Sequence, residues 1–591
     1  MSNKNTHGNK HIQILSALLG DTDTTLLHQV LENGRMVHVD SGDILFAQGD
    51  TDKSLYIVLS GRLRAAAERE EGMYVLGDVT EGEPVGEFAL FSNEPRSASV
   101  YAIRPSLLLE FNEIEYVRMT ALQPTFARNL TSVLLKRLNR NNLQKHLQNQ
   151  PKNIAVVHLQ GNSDISDWTN SVEARFKETG VNFIVHQYDS LYEKDKDTFF
   201  SKLEEKEGLN FFVCNDSHPE WSKDCLLYSD LVMVASDFNA SADIYPIEKK
   251  LDMYKQHFLN KKVYLLLLHP ENAPNPENTR RWFHHRKIDL HIHFRKNHAG
   301  DVARFCRILT NKAVGLVLGG GGSKGNAHIG AVKAMLNQGI QIDFLGGTSA
   351  GALYGFGIVF CDFDIPKMDY YSEDSAKKNL ISNDYTFPIL SIMSGNKMSS
   401  YLKYLYGHLH IEDFWITTYC ISANYSMATL HIHETGLAWK KIMASIAIPG
   451  VFPPVVINNE LHVDGGVVDN LPIEPMFRYP VGFIFAIALS GLTPHKTTLE
   501  ELPSVGKLFW DKLLGRKKYK LPGISSVIIN SLTLNSTQRQ EQYKSSVSHY
   551  LELDLKGIGL LDHKKWRLII QKGYDQMNDF LLKIPASEKF W

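Results

Sequence analysis

The sequence contains few cysteines and lacks both a long apolar run and an excess of charge of either sign. Its five cysteines among 591 residues show no spacing typical of a metal site or a disulfide framework, which favours a reducing compartment. The longest apolar stretches, such as 263–268, are far shorter than the roughly 20 residues of a membrane-spanning helix. The polar segment 1–11 is followed by no apolar run typical of a signal peptide. We therefore expect a cytoplasmic location, with membrane contact only of the peripheral kind.

The balance of charge also limits the class of partner. A formal net charge of −2 provides no general attraction for polyanions, so no nucleic-acid partner is expected. The contents of 43% hydrophobic and 22% charged residues are those of an ordinary globular protein. A chain of this length exceeds what one hydrophobic core supports, which predicts several domains.

Glycine and apolar patterns divide the chain into four segments of a multidomain α/β protein. Short alternating strands punctuated by glycine, followed by a helical pattern, predict a β-roll with flanking helices over 12–147. Apolar runs that alternate with helix-length segments predict a Rossmann-like α/β layer over 153–310. A second α/β domain is predicted over 314–480, followed by a C-terminal helical extension, 481–591, that packs on it.

A glycine-rich loop follows the apolar run 314–318. Backbone N–H groups in such a loop converge at a helix N-terminus and bind negative charge, either a phosphate or the oxyanion of an acyl-transfer intermediate. The loop alone also fits a dinucleotide-binding fingerprint, with Asp343 near the position of a ribose-binding acid. The candidate oxyanion-hole residues are Gly320, Gly321, Gly322, Ser323, Lys324 and Gly325.

A strand-like run then leads into a nucleophile-elbow pattern around Ser349. A sharp turn from strand to helix exposes such a serine, and small residues on either side permit the close backbone approach. The positive end of the following helix lowers the cost of forming an alkoxide. The residues of the elbow are Gly347, Thr348, Ser349, Ala350 and Gly351.

A serine nucleophile needs a base, and the candidate is Asp464 before Gly465 and Gly466. An acidic residue beside glycine is also an ordinary turn. In this order, however, the glycine-rich loop, the Gly-x-Ser-x-Gly elbow and the Asp-Gly-Gly motif resemble the patatin-like phospholipase family. The segments 444–454 and 469–472 extend that resemblance.

The resemblance implies a patatin-like α/β hydrolase domain with a Ser-Asp dyad. By it, Ser349 attacks the acyl carbonyl, Asp464 takes its proton, and N–H groups around Gly321 and Gly322 hold the oxyanion. It implies neither a metal nor another catalytic cofactor, and it needs none of the 24 histidines. A metal set at the cluster 284–298 or at 431–434 is disfavoured, since no acidic or cysteine partner completes it.

Within the β-roll, Gly86-Glu87-Phe88 is followed ten residues later by Arg96-Ser97. This stretch resembles the phosphate-binding cassette of cyclic-nucleotide-binding domains. That resemblance implies that a carboxylate holds the ribose while a guanidinium and nearby groups hold the phosphate of cAMP or cGMP. Such a domain also persists as an interaction module without ligand. No basic helix-turn-helix follows it, which disfavours a transcription factor. The candidate nucleotide-binding residues are Gly86, Glu87, Phe88, Arg96 and Ser97.

The whole layout resembles the neuropathy target esterase branch of patatin-like proteins, including its bacterial relatives. This implies a serine esterase that deacylates lysophospholipids or phospholipids, and we expect it to act at a peripheral membrane surface. Because the nucleotide cassette shares a chain with the hydrolase, regulation by cyclic nucleotide is a separate hypothesis. The amphipathic stretch 507–520 is a candidate for the membrane contact, or an ordinary surface helix. The alternatives are a nucleotide-responsive scaffold with an inert hydrolase domain and, less well supported, a dinucleotide-dependent enzyme.

Overall fold

The structure is a computed structural model. Apart from isolated positions, it describes residues 11–17, 34–69, 72–92, 94–123, 125–132, 150–160, 165–189, 208–253, 261–380, 384–489, 501–504, 540–559 and 562–586. The chain divides into two compact units, one of 1–273 with 281–311 and one of 274–280 with 312–591. Among the helices of the described residues, none combines the length and the apolar composition needed to cross a bilayer.

The first unit begins with a six-stranded antiparallel roll. Strand β3 forms its centre, pairs with β4, β5 and β6, and bends at Gly61, where φ is 99° and the register with β6 shifts. Helix α2 begins at a capping box in which Asn112 and Glu115 each bond the other's backbone N–H. The elements are β1 (Arg35–Val39), β2 (Ile44–Phe46), β3 (Leu55–Arg69), β4 (Gly72–Val79), β5 (Pro84–Val85), α1 (Glu87–Ser92), β6 (Ser99–Phe111) and α2 (Glu113–Leu122).

A parallel α/β layer completes the first unit. Its six strands lie in the order β12-β11-β10-β7-β9-β8, and the central strand β7 is buried at every position, as its continuous apolar run predicts. Trp168, Trp221 and Trp282 are fully buried in its cores. The elements are β7 (Asn153–His158), α3 (Ser166–Glu178), β8 (Phe183–His186), β9 (Leu209–Val213), α4 (Pro219–Tyr228), β10 (Leu231–Asp237), α5 (Pro246–Lys250), β11 (Lys262–His269), β12 (Leu290–Arg295) and α6 (Ala299–Leu309).

A buried ionic cluster joins the roll to this layer within the first unit. Asp230, just before β10, lies 3.4 Å from the Nη1 of Arg62 on β3 and 3.5 Å from the Nε of Arg104 on β6. Burial raises the pKa of Asp230, but the two guanidiniums and the N–H groups of Lys152 and Asn153 outweigh it and hold the pKa at about 2. The carboxylate is therefore charged at neutral pH and ion-paired with both guanidiniums.

The second unit is built on an eight-stranded mixed sheet. Its main path runs β17-β18-β15-β14-β13-β19-β20, and β16 pairs with β15. The strands are β13 (Ala313–Leu318), β14 (Phe344–Gly347), β15 (Thr417–Asn424), β16 (Thr429–His433), β17 (Val455–Ile457), β18 (Glu460–Asp464), β19 (Val481–Leu489) and β20 (His549–Leu553).

Helices cover this sheet and bury its apolar side chains. The final helix, α12, packs so closely on α7 that a side chain at Gly330 or Gly573 would collide with the backbone of the other helix. The segment after residue 480 thus contributes two strands as well as a helix to the second unit. The helices are α7 (Asn326–Asn337), α8 (Ala350–Phe360), α9 (Ile365–Lys378), α10 (Asn396–Tyr406), α11 (Ala438–Ser445) and α12 (Trp566–Lys583).

The roll, the parallel layer and the C-terminal α/β domain agree with the fold class predicted from the sequence, which is confirmed.

Candidate active site

Ser349 lies in the turn between β14 and α8. Its backbone has φ of 51° and ψ of −120°, a conformation that costs free energy for a residue with a side chain. The Oγ of Ser349 therefore lies at the first turn of α8, facing the positive end of the helix dipole. The residue is 8% exposed, so most of the surrounding water is excluded.

Small residues allow this turn to form. A Cβ at Gly347 would approach the carbonyl carbon of Gly351 to 2.6 Å, and a Cβ at Gly351 would collide with the carbonyl oxygen of Leu318. Helix α8 thus lies directly against the end of β13. Larger residues at either position would push the helix, and Ser349 with it, away from the sheet.

The structure brings Asp464 into direct contact with Ser349. Strand β18 ends at Asp464, and the Oγ of Ser349 donates a hydrogen bond of 2.7 Å to its Oδ2. The N–H of Gly466 donates to Oδ1 at 2.7 Å, which fixes the rotation of the carboxylate. A side chain at Gly465 would clash with the Oγ1 of Thr348, so glycine is needed where the two turns meet.

Burial controls the charge of this pair. Desolvation raises the pKa of Asp464 to about 7, although the hydrogen bonds from Ser349 and Gly466 act in the opposite direction. A carboxylate with that pKa accepts a proton much more readily than an exposed aspartate does. Among the described residues, Asp464 is the carboxylate that accepts a hydrogen bond from the Oγ of Ser349.

The glycine-rich loop lies against Ser349. A Cβ at Gly320 would be 3.0 Å from the Cβ of Ser349, and one at Gly325 would be 2.6 Å from the Cβ of Ala350. The N–H of Gly320 donates to the carbonyl of Asn470 at 3.0 Å and is therefore engaged. Within the described part of the chain, the N–H groups of Gly321 and Gly322 donate to no protein acceptor.

The remaining predicted loop residues make structural contacts. The Oγ of Ser323 donates to the carbonyl of Gly559 at 2.9 Å. Desolvation lowers the pKa of Lys324, an effect that the carboxylate of Asp554 partly offsets. Gly325 precedes α7 and packs on the ring of Tyr354. Whether these three groups stabilise an oxyanion stays a prediction.

Three residues to which the sequence analysis gave no individual role support the site. The N–H of Ser349 donates to the Oγ of Ser445 at 3.0 Å, and the side-chain amide of Asn470 donates to the carbonyl of Gly320 at 3.3 Å. The Nε2 of His328 donates to the carbonyl of Gly319 at 2.8 Å, while burial lowers the pKa of this histidine to about 4 and keeps it neutral. Each acts on a backbone group outside its own motif, so the sequence does not indicate the contact.

The described residues contain no group of three or more His, Cys, Asp or Glu side chains arranged to hold a metal ion. His293 bonds His269 at 2.9 Å within the parallel layer. His433 and His462 both bond the Oγ of Ser422, at 2.7 and 2.8 Å. Burial lowers the pKa of both, so these imidazoles are neutral packing groups.

The candidate nucleotide cassette is assembled in the first unit. The guanidinium of Arg96 donates to the carbonyl of Gly86 at 2.8 Å and to Asp52 at 2.6 Å, and it stacks over the ring of Phe46. A side chain at Gly86, where φ is 88°, would collide with that guanidinium. The other candidate residues flank it: Glu87 opens α1, Phe88 is 47% exposed and Ser97 is exposed.

Comparison with known families agrees with this architecture. Residues 316–477 match the patatin-like phospholipase model, residues 36–121 the cyclic nucleotide-binding domain, and residues 178–312 the neuropathy target esterase family P-loop like domain. In all three matched segments the chain is thus similar to the neuropathy target esterase branch of the patatin-like proteins. The resemblance inferred from the motifs is confirmed, and the site around Ser349 lies in its patatin-like domain.

The alignments with curated relatives cover nearly the whole of this chain. Lysophospholipase NTE1 of Coccidioides immitis is 26% identical over 92% of this chain and 40% of its own length. Lysophospholipase nte1 of Neurospora crassa is 25% identical over 93% of this chain and 42% of its own length. This chain thus spans less than half the length of these relatives. The crystal structure of the Thermus thermophilus catabolite activator protein covers 22% of this chain and 62% of its own, with 28% identity and a TM-score of 0.21.

Proposed function

We propose that the protein hydrolyses acyl esters of lysophospholipids or phospholipids, with Ser349 as nucleophile and Asp464 as its base. The observation that carries the proposal is the 2.7 Å hydrogen bond from the Oγ of Ser349 to a buried carboxylate, made from a strained turn at a helix N-terminus. The patatin-like domain and the curated lysophospholipases support the class of substrate.

In the first half of the reaction, Asp464 accepts the hydroxyl proton as the Oγ of Ser349 attacks the ester carbonyl carbon. The carbonyl π bond opens and its oxygen becomes an oxyanion. The N–H groups of Gly321 and Gly322 are the donors available to hold it, since that of Gly320 is engaged by Asn470. The bond to the leaving alcohol then breaks, and Asp464 returns the proton to that oxygen.

In the second half, a water molecule takes the place of the alcohol. Asp464 removes a proton from the water, whose oxygen attacks the acyl carbon of the ester on Ser349. When the second tetrahedral intermediate collapses, the proton returns to the Oγ and the fatty acid leaves. The dyad and two N–H donors are sufficient for these steps. We place the reaction in the cytoplasm, at a membrane surface that the protein contacts peripherally, with no nucleic-acid partner.

The test is release of fatty acid from lysophosphatidylcholine by the full chain. Ser349→Ala and Asp464→Asn should each reduce turnover by at least about a thousandfold. Ser400→Ala and Asp579→Asn change exposed residues of the same unit and serve as matched controls. A fluorophosphonate should label the wild type and not Ser349→Ala. Turnover by Ser349→Ala at the wild-type rate would refute the proposal, and wild-type protein that is neither active nor labelled would favour an inert scaffold.

We further propose that the roll binds a cyclic nucleotide, cAMP or cGMP, as a regulatory ligand. Arg96 is 3% exposed, its Nε makes no hydrogen bond with any described residue, and the guanidinium is already oriented by Gly86 and Asp52. A preorganised guanidinium of this kind suits a phosphate.

Calorimetry with cAMP and with cGMP tests this second proposal. Binding should be lost in Arg96→Ala and kept in Arg35→Ala, whose side chain is 76% exposed. A change of esterase rate on addition of the nucleotide that binds would identify regulation. If neither nucleotide gave a heat of binding, the roll would instead be an interaction module.

A further inference from the structure

An exposed apolar loop lies beside the candidate active site, in the same unit. Between α9 and α10 the chain forms a tip whose Phe387, Ile389 and Leu390 are 81%, 80% and 72% exposed. No charged residue occurs from Tyr385 to Asn396. We call residues 385–392 the apolar tip. Large apolar side chains grouped in this way on a surface usually mark a site of interaction.

The apolar tip is held in a defined conformation. Its neck is closed by a bridge between Tyr385 and Met393, by the N–H of Thr386 donating to the carbonyl of Ile392 at 3.0 Å, and by the Oγ of Ser394 donating to Asp384 at 2.6 Å. Asp384 and Met393 are buried, so the base is packed while the tip remains in water. The exposed side chains are therefore presented by a rigid stem.

The base of the tip is connected to the segment that supports the catalytic base. The N–H groups of Ile392 and Met393 donate to the carbonyls of Gly450 and Val451, both at 2.9 Å. Three residues earlier in that segment, the carbonyl of Ala447 accepts the N–H of Asp464 at 2.9 Å. A surface that the tip contacts therefore lies on the side of the molecule where the segment 447–452 borders Ser349 and Asp464.

We propose that the apolar tip inserts into a lipid surface and docks the candidate active site there. This rests on the proposed function, since an enzyme that takes its lipid substrate from a bilayer must contact that bilayer. A stable protein interface needs about 800 Å² on each partner, more than three side chains on a protruding tip provide. Insertion at the boundary of head groups and acyl chains needs only such side chains, and the Tyr385 ring at the neck suits the head-group level.

Absence of charge at the tip sets the expected dependence on lipid and salt. Insertion of apolar side chains should proceed on neutral phosphatidylcholine vesicles and should change little between 0.05 and about 0.5 M salt, because no ion pair is screened. Binding that requires anionic lipid and disappears with salt would instead indicate a basic surface elsewhere on the chain and would overturn the assignment.

The first experiment measures co-sedimentation with phosphatidylcholine vesicles. The combined variant Phe387→Ser, Ile389→Ser and Leu390→Ser should bind at least about tenfold more weakly than the wild type. It should retain wild-type hydrolysis of a water-soluble short-chain ester and lose hydrolysis of vesicle substrate. Ile114→Ser, at a side chain that is 80% exposed in the first unit, is the matched control and should bind normally. Equal vesicle binding by the triple variant and the wild type would overturn the proposal.

A second measurement detects insertion directly and does not depend on the triple variant. All five native cysteines are buried, so a Phe387→Cys chain can be labelled selectively at the tip with a solvatochromic dye. Its emission should shift to the blue with vesicles, whereas a dye at Ile114→Cys should not shift. Unshifted emission during vesicle binding would refute insertion, as would a tip-dependent dimer in ultracentrifugation with unchanged vesicle binding.

The experiments distinguish a failure of docking from a failure of the proposed function. Ser349→Ala should bind vesicles like the wild type and release no fatty acid. If the wild type bound vesicles through the tip but hydrolysed neither lipid nor soluble ester, docking would stand and the proposed function would fail. If it hydrolysed both substrates and the triple variant did so equally, the proposed function would stand and docking would fail.

Discussion

The main-chain N–H of Ser349 donates to the Oγ of Ser445, which lies 3.0 Å away at the end of α11. The bond holds the peptide group between Thr348 and Ser349, so that N–H is engaged by Ser445. Ser445 is fully buried. It therefore positions Ser349, the proposed nucleophile, through its backbone.

Ser445→Ala should weaken this support. With the N–H of Ser349 left buried and unpaired, the free energy of unfolding should fall by about 1–3 kcal/mol. Because the Oγ of Ser349 would lose its alignment, turnover should fall by about ten- to a hundredfold. Fluorophosphonate labelling rates and thermal unfolding of Ser445→Ala and the exposed control Ser400→Ala would measure the two effects. A wild-type labelling rate in Ser445→Ala would contradict the positioning role.

The pKa of Asp464 predicts the dependence of activity on pH. Burial raises that pKa to about 7, and only the carboxylate form accepts the proton of Ser349. The ratio kcat/KM should therefore rise about tenfold per pH unit below pH 7 and level off above it. A profile that is already flat at pH 5 would show that the base used in the reaction has a pKa below 5.

The same pKa predicts how stability changes with pH. Since the folded-state pKa lies above the unfolded value of about 3.9, the folded protein holds more protons between pH 4 and 7. The contribution of Asp464 to the free energy of unfolding should thus be fully present below pH 4 and be lost as the pH rises through 7. Denaturant unfolding of the wild type and Asp464→Asn should differ in this window. Parallel pH profiles of the two proteins would exclude the effect.

Two glycines of helix α8 should respond oppositely to the same substitution. Gly351→Ala should destabilise the protein by at least about 3 kcal/mol and abolish labelling of Ser349, because the added Cβ meets the carbonyl of Leu318. Gly357→Ala adds a Cβ with nothing within 4 Å, and should raise the free energy of unfolding by about 0.4–1 kcal/mol. Denaturant titration measures both, and comparable losses would contradict the close approach at Gly351.

Removing the carboxylate of the buried ionic cluster in the first unit should destabilise the protein far more than removing one from a surface ion pair. Asp230→Asn removes the buried carboxylate that Arg62 and Arg104 share and should cost about 3–5 kcal/mol. Asp167→Asn removes an exposed partner of Lys296 and should cost less than about 1 kcal/mol.

The pH dependence distinguishes this cluster from a packing effect. Since the folded pKa of Asp230 is held at about 2, its contribution should be present above pH 4 and decline as the pH falls towards 2. Acid unfolding of the wild type and Asp230→Asn would show this decline only in the wild type. An identical acid response in both proteins would contradict the assignment.

Sequence patterns predicted the layers of the fold because strand and helix periodicities and glycine turns are local. The candidates Ser349 and Asp464 were indicated by short motifs that each end a strand in a small-residue turn. Their contact, across 115 residues of sequence, becomes visible only once β14, β15 and β18 are paired. Their catalytic roles, and those of the loop residues, stay predictions.

Other features had a weaker local signal. Ser445 and Asn470 lie in segments that extend the family resemblance, but their contacts are with backbone groups far away in sequence. His328 has no such signal, because an isolated histidine has no periodicity. The apolar tip was missed because its few apolar residues suit a buried segment equally well, and only its exposure distinguishes the two. The stretch 507–520, a candidate membrane contact, lies almost entirely outside the described residues.

The register of β13 and β14 has a consequence for how the domain tolerates change. Leu318 pairs with Gly347, so the glycine-rich loop and the elbow leave the sheet from neighbouring positions of one parallel ladder. The separation between Ser349 and the loop is thus set by the register of this ladder and by the close approach that Gly347 and Gly351 permit. A substitution in the cores on either face can therefore change the stability of the domain without changing this register.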